Sequence, residues 1–351
     1  MSELIVNSRK QPGHRWELLA GVSGAVLASY LLSANAAQAS EKDQPMVWIE
    51  LGAQFANQSA DEEPFIPPFV QASPFDGAIP LARKRPPSGW FENGKISFEP
   101  VDSDWSFSLG VRYGKNSRQG VTYQKTRHGS YYLHTAYQNS RSATSEKHLI
   151  VDFQAGKDVG LGRIGAHGTS MLSAGVRYAK FDSHSSMNIK SVTQLVPSSY
   201  YIFNGSFAAQ RKFIGVGPSL SWDASANLTG NPEAGSLTLD WGVNGAVLFG
   251  RQKVSGQYQK TQLFQPSNAY FQLPRTTVYR TVHPFSRSKG ATVPNLGGFA
   301  ALSLRYPNAK VSLGYRVDYF FGAVDGGIDQ HKAYDRGFYG PFASISIGLG
   351  G

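Results

Sequence analysis

The chain has 351 residues, a formal net charge of +10, 38 glycines, no cysteine, 13% aromatic and 17% charged residues. The missing cysteines exclude a disulfide scaffold and any cysteine-ligated zinc or iron–sulfur centre. The charged fraction lies well under the roughly 25% of soluble globular domains, so a water-facing surface is in short supply for a chain of this length.

At the N-terminus Arg9, Lys10, His14 and Arg15 precede a small-residue apolar run from Leu18 to Leu32, and the run ends in "SANAAQAS". Ala37-Gln38-Ala39 has the small-x-small form of a signal peptidase site, so residues 1–39 read as a cleaved signal peptide and 40–351 as one domain. The apolar run is short of the ~20 residues of a spanning helix, and no other apolar run approaches that length. Cleavage removes three of the Arg and Lys cations against Glu3 and Glu17 and leaves +9. For an exported protein, a basic balance points to anionic lipid headgroups and acidic polysaccharide rather than nucleic acid.

Ten segments alternate with period two, the signature of strands. In chain order they are 47–56 "VWIELGAQFA", 105–115 "WSFSLGVRYGK", 130–138, 147–156, 170–181 "SMLSAGVRYAKF", 213–224 "FIGVGPSLSWDA", 236–249 "SLTLDWGVNGAVLF", 297–306 "GGFAALSLRY", 310–321 "KVSLGYRVDYFF" and 339–349 "YGPFASISIGL". Most are about ten residues long. That length fits a strand tilted through a bilayer, whereas soluble strands average five or six. With no helical pattern to cover the greasy face, lipid is the remaining cover. The expected fold is an all-β antiparallel transmembrane barrel of about ten strands, with eight to twelve as the range.

The gaps sort by length. The stretches 57–103, 182–212, 250–296 and 322–338 are long, and 307–309 is only three residues. With both termini periplasmic, the long stretches become extracellular loops and the tight ones periplasmic turns. Aromatic residues then form two belts. Tyr113, Trp222 and Tyr306 are expected at the inner interface and Phe55, Tyr178, Phe249 and Phe321 at the outer one, with Trp105 a further member.

"DWSFSLGVRYG" at 104–114, "LIVDFQAGKDVGLG" at 149–162, "GVGPSLSWDA" at 215–224 and "LDWGVNGAVLFGR" at 239–251 resemble the Legionella-type major outer-membrane protein family. The resemblance implies an outer-membrane barrel with a porin-like, pore-forming role. The chain departs from such barrels at its end, "ISIGLGG", where a terminal aromatic is usual.

"GVRYGK" at 110–115 returns as "GVRYAK" at 175–180, on strands expected to run in opposite directions. By parity Arg112, Arg177, Arg305 and Arg316 face inward, together with Glu50, Asp104, Asp152, Asp223, Asp240 and Asp318. Two readings stand. In the first, the arginines form an anion-attracting constriction and the protein passes small solutes or ions through a narrow lumen. In the second, arginines and carboxylates pair into a plug, and the barrel anchors a structural or adhesive surface protein whose loops bind partners.

Other motifs carry less. "GLGRIG" at 160–165 matches a dinucleotide fingerprint but leads into a strand, so no cofactor is expected. "DGGIDQH" at 325–331 and Asp182 with His184 gather acid–base groups that equally serve turns, and no hydrolase signature occurs, so the chain is read as a non-enzyme without a metal. In the proline-rich stretch 57–103, Arg83, Lys84 and Arg85 form a patch suited to lipopolysaccharide. Stretch 250–296, with Tyr258, Phe264, Tyr270 and Phe271, suggests an extended hairpin or a binding surface.

Overall fold

A computed structural model describes residues 46–59, 88–101, 103–127, 135–160, 169–196, 199–231, 234–265, 277–325 and 333–350. The expected leader, the 83–85 patch, Asp329 and His331 lie outside these residues. The alternating segments become ten strands: β1 (Met46–Ser59), β2 (Ser88–Glu99), β3 (Trp105–Arg127), β4 (Thr135–Asp158), β5 (Thr169–Val196), β6 (Ser199–Asn231), β7 (Gly235–Gln265), β8 (Thr277–Tyr306), β9 (Ala309–Asp325) and β10 (Ala333–Leu349). Each pairs antiparallel with its chain neighbours. β1 also pairs with β10 from Val47↔Leu349 to Ser59↔Gly337, so the sheet closes into a barrel. Among the described residues there is no helix.

The period-two pattern decides the facing. On β9, Val311, Leu313, Tyr315, Val317 and Phe321 point outward and are exposed, Leu313 to 66%, while Ser312, Asp318 and Phe320 point inward and are buried. From Val311 to Phe321 a tilted strand at ~3.3 Å per residue spans about 25 Å along the barrel axis, the height of the apolar band of a membrane barrel. The fold is an all-β, antiparallel transmembrane barrel of ten strands.

The strand number agrees with the sequence reading, but two of the strands do not. β2 lies inside the stretch 57–103 that the sequence reads as a single loop. Residues 130–138 and 147–156, read as two strands, contribute to the one strand β4. These differences cancel in number and change direction: β3 and β5 run the same way, with β4 between them. The two GVRY hexapeptides are therefore on parallel-running strands, contrary to the sequence expectation. Tyr113 consequently lies toward the opposite end from the short turns, in the belt with Phe55 and Phe249 rather than with Trp222 and Tyr306. Trp105 starts β3 at the turn end.

The end asymmetry is made of strand as well as loop. Residues 182–212 and 250–296, read as loops, are mostly continuations of β5–β6 and β7–β8, as an extended hairpin at 250–296 would require. β6 has 33 residues where β1 has 14. β2 pairs with β3 only as far as Gly114, and β8 pairs with β9 only between Asn295 and Tyr306. The upper parts of β3 to β8 thus form a wall raised above one side of the mouth. Its β8 edge carries Pro284 and Pro294 with Arg287 and Lys289, residues that discourage further strand pairing. At the other end β6 and β7 meet through a tight turn whose flanking Gly230 (φ 93°) and Gly235 (φ 118°) occupy backbone conformations that residues with a Cβ rarely adopt.

Lipid exposure of the belt gives a direct expectation. Leu313→Arg should lower folding stability in bilayers by about 2–4 kcal/mol, while Ser286→Arg, on the outward face of the raised wall, should stay within about 0.5 kcal/mol. Denaturant titration of vesicle-folded protein measures both.

Candidate functional site: a lumen closed by charge and aromatic layers

The barrel interior holds charged side chains where the GVRY repeats put them. Asp152 sits on β4 opposite Arg177 of β5 in register, and one inward position away from the partner of Arg112 on β3. Its carboxylate therefore accepts from both arginines: Arg177 Nε at 2.5 Å and Arg112 Nη2 at 3.4 Å. Arg112 Nη1 also reaches across the lumen to Asp318 Oδ2 on β9 at 2.6 Å. Arg177 Nη1 donates to Asn244 Oδ1 at 2.8 Å and to Asn295 Oδ1. Asn295 donates in turn to the carbonyl of Tyr319 at 2.9 Å. Six strands are thereby tied together through the interior. Charge-assisted bonds of this kind are strong where water is scarce, and the groups are buried, Arg177 at 2% exposure and Asp318 at 3%.

Arg316, on the same parity, is held differently. Its guanidinium lies 4.7 Å from the Phe342 ring centre and 5.8 Å from that of Phe299, a cation–π seat without a carboxylate in contact among the described residues. Gln54 of β1 donates to its carbonyl at 3.2 Å. Nearer the turn end Lys310 Nζ pairs with Asp240 Oδ2 at 2.6 Å, and Ser303 donates to the same oxygen at 2.6 Å. Arg305 is also near that end, opposite Ser236 and Lys310. Glu50 accepts from Ser346 at 3.4 Å. Asp223 lies on the inward face of β6, opposite Gly242. Asp104 departs from the expectation. It occupies the turn before β3, is exposed, and among the described residues contributes only its carbonyl, to Asp158 N at 3.2 Å.

Above the charged network the interior is aromatic, which the sequence reading did not foresee. Phe91 of β2, Phe181 of β5, Phe213 of β6, Phe320 of β9 and Phe338 of β10 all point inward and are buried, with Ile150, Leu248 and Val293 between them. Their rings meet across the barrel. Phe181 lies 4.9 Å from Phe320 and 5.9 Å from Phe338, and His148 of β4 lies 4.3 Å from both Phe91 and Phe338. β5 and β10 are well separated around the ring of strands, so contact between Phe181 and Phe338 closes the cross-section. A void of about 10 Å³ remains between this layer and Arg112, Arg316 and Asp318, room for about one water. Part of the signal was present in the sequence: Phe181 and Phe320 share the inward parity of Arg177 and Arg316 on their own strands, whereas Phe91 and Phe338 fall in the stretches 57–103 and 322–338 read as loops.

Further struts cross above the rings. Arg336 of β10 pairs with Glu146 of β4 at 3.3 Å, and Gln252 of β7 donates to the carbonyl of Gly322 on β9 at 2.5 Å. Arg287 and Lys289 of β8 pair with Asp325 at the end of β9. The belt residues Phe55, Trp105, Tyr113, Phe249, Tyr306 and Phe321 are exposed on the outer surface, Tyr178 and Trp222 are half-buried there, and Trp222 Nε1 donates to Ser170 at 3.0 Å. Trp90 of β2, 67% exposed and packed edge-on against Phe55 at 5.3 Å, is a belt member hidden in the expected loop. Of the "GLGRIG" motif only Gly160 is described, beyond the end of β4, and it opens no helix. Among the described residues no three His, Asp or Glu side chains gather to hold a metal.

A closed antiparallel sheet, apolar outside and ion-paired inside, defines a transmembrane β-barrel. No family model and no curated protein matches the chain. Among solved structures the chain is similar to the transport unit of the Escherichia coli autotransporter AIDA-I, with 8% identity over 95% of this chain and 99% of that one and a TM-score of 0.20. The translocator domain of the Neisseria meningitidis autotransporter NalP gives 12%, 94%, 96% and 0.22, and the P. putida toluene transporter TodX gives 8%, 87%, 90% and 0.20. The class therefore rests on the chain's own closed sheet and its two faces.

Removing one member of the network strands a buried charge. Asp318→Ala should cost about 3–5 kcal/mol, and the paired Arg112→Met/Asp318→Leu change should recover most of that loss. Denaturant midpoints of the three proteins read the difference.

Proposed function

We propose that this protein is an outer-membrane barrel with a lumen shut in its resting state, which anchors the raised wall of β3 to β8 at the cell surface as a structural or adhesive element. The observation that carries the reading is the contact of Phe181 with Phe338 across the barrel, backed on both sides by cross-lumen ion pairs. Apolar contact combined with cross-lumen ion pairs is the interior of a packed core, not of a water-filled pore. The strand motifs that resemble the Legionella-type major outer-membrane protein family support the outer-membrane placement, with residues 1–39 as the export signal and the wall outward. The proposal assigns the chain no enzymatic activity.

A second reading keeps the barrel as a narrow channel for small solutes. It is favoured by the turn end of the lumen, where Lys95 is exposed and Arg305, Lys310 and Glu50 are only partly buried. On this reading the aromatic layer is a gate, and Arg112, Arg177 and Arg316 set the field of the path once it parts.

Planar-bilayer recording separates the two. The wild type is expected to stay silent at moderate voltage, and Phe181→Ala/Phe338→Ala to give reproducible small steps. Frequent open steps from the wild type would overturn the shut-lumen reading in favour of the channel.

A further inference from the structure

The outward surface just above the apolar band is uneven in charge. In register across the sheet run Lys115↔Lys147, Lys147↔Asp182, Asp182↔Lys212 and Lys212↔Lys253, one unbroken row over β3 to β7. All five residues point outward, by the same parity that puts Tyr113, Tyr178 and Phe249 on the lipid side. One outward position toward the turn end lie Lys180 of β5 and Arg251 of β7, both exposed. The low end of this band sits immediately above Tyr113 and Tyr178, and because strands tilt across the barrel axis the row climbs obliquely onto the wall. On the neighbouring strands β1 and β2 the described residues at and beyond Phe55 and Trp90 include no cation.

Two features separate this band from scattered surface charge. First, it contains two like-charged cross-strand pairs, Lys115 opposite Lys147 and Lys212 opposite Lys253, an arrangement that destabilises a sheet unless an anion lies between the ammonium groups. Second, its internal acid is already engaged. Asp182 accepts from Gln210 at 3.0 Å, lies 3.2 Å from His184 Nε2, and pairs with Lys212 at 3.6 Å. Lys115, Lys147, Lys180, Arg251 and Lys253 have no carboxylate partner among the described residues. Glu92, outward on β2 opposite Tyr113, is the nearest acid on the flanking strand and lies on the turn side of Lys115.

We infer that this band binds the phosphorylated head of a membrane lipid, with acyl chains lying against the apolar belt directly beneath. Charge complementarity selects an anion, and continuity with the lipid-exposed surface selects one that carries hydrocarbon. Neighbouring strands lie ~4.8 Å apart, so the row extends about 19 Å from β3 to β7. That is wide enough for more than one phosphate, which fits a diphosphorylated glycolipid. The inference depends on the barrel lying in a membrane and not on whether its lumen conducts, so the bilayer recordings above leave it standing or falling on its own test.

The test uses the refolded full barrel in detergent and three probes: diphosphoryl lipid A, the same lipid with its phosphates removed, and inorganic pyrophosphate. Native mass spectrometry reads retained lipid, and thermal melting reads protection. The wild type should retain diphosphoryl lipid A and melt higher with it, while the dephosphorylated lipid and pyrophosphate do neither. Lys115→Gln/Lys147→Gln and Lys212→Gln/Lys253→Gln should each reduce retention by about tenfold, and the lipid-free Lys115→Gln/Lys147→Gln variant should melt no lower than the wild type, since it loses a repulsion and no ion pair. Lys190→Gln/Arg280→Gln, which removes two exposed cations from the upper wall, should retain lipid as the wild type does. Unchanged retention in both row variants, equal loss in the upper-wall control, or protection by pyrophosphate equal to that by lipid A would each overturn the assignment.

Discussion

Closure of the hydrogen-bond ladder is the constraint on which everything else rests. In hydrocarbon an unpaired backbone amide or carbonyl costs several kcal/mol, so a sheet that spans a bilayer must leave no edge within it. Pairing of β1 with β10 meets that demand, and it fixes the inside and the outside for every residue of every spanning strand. Once one face is committed to lipid, charged residues can stand only on the other. There, ten strands enclose a space that side chains fill. The arginines need carboxylates and amides in reach, and the register of β3, β4 and β5 supplies Asp152 to two of them at once.

The interior is layered by polarity along the barrel axis. Serines, Lys310 and Asp240 occupy the turn end, the Arg112–Asp152–Arg177–Asp318 network the middle, and phenylalanines the level below the raised wall. An ionic network alone is a weak source of stability, because desolvation offsets most of its Coulomb gain. Capped by aromatic rings, it is shielded from water on one side, which strengthens each bond and makes each broken one costly. The same arrangement makes the lumen a core that happens to be wrapped by a sheet.

Facing was legible in the sequence because hydrocarbon writes period two into hydropathy, and the inward arginines and outward belt follow from it. Strand extent was not legible. Above the band the inward face mixes serines with apolar residues: outward Asp182, His184, Asn188 and Lys190 alternate with inward Ser183, Ser185, Met187, Ile189 and Ser191, so the pattern weakens although the strand continues. β2 was obscured for a related reason. Glu92, Gly94 and Lys95 interrupt its alternation, and it follows a proline-rich stretch, so "SGWFENGKISFE" reads as part of the loop. Cross-lumen contacts such as Phe181 with Phe338 depend on how far around the ring two strands lie, which one strand's pattern does not encode.

The unequal strand lengths give the mouth a direction. β3 to β8 stand tall on one flank, while β9, β10, β1 and β2 stop low on the other. Any macromolecule coming from the solvent side therefore meets a parapet on one approach and a threshold on the opposite one. The ends of β1 and β2 border that threshold, and the basic band follows the foot of the parapet on its lipid side. Rotation of the barrel about its axis would thus change what a neighbour in the membrane encounters, so adjacent copies are not interchangeable by spinning in place.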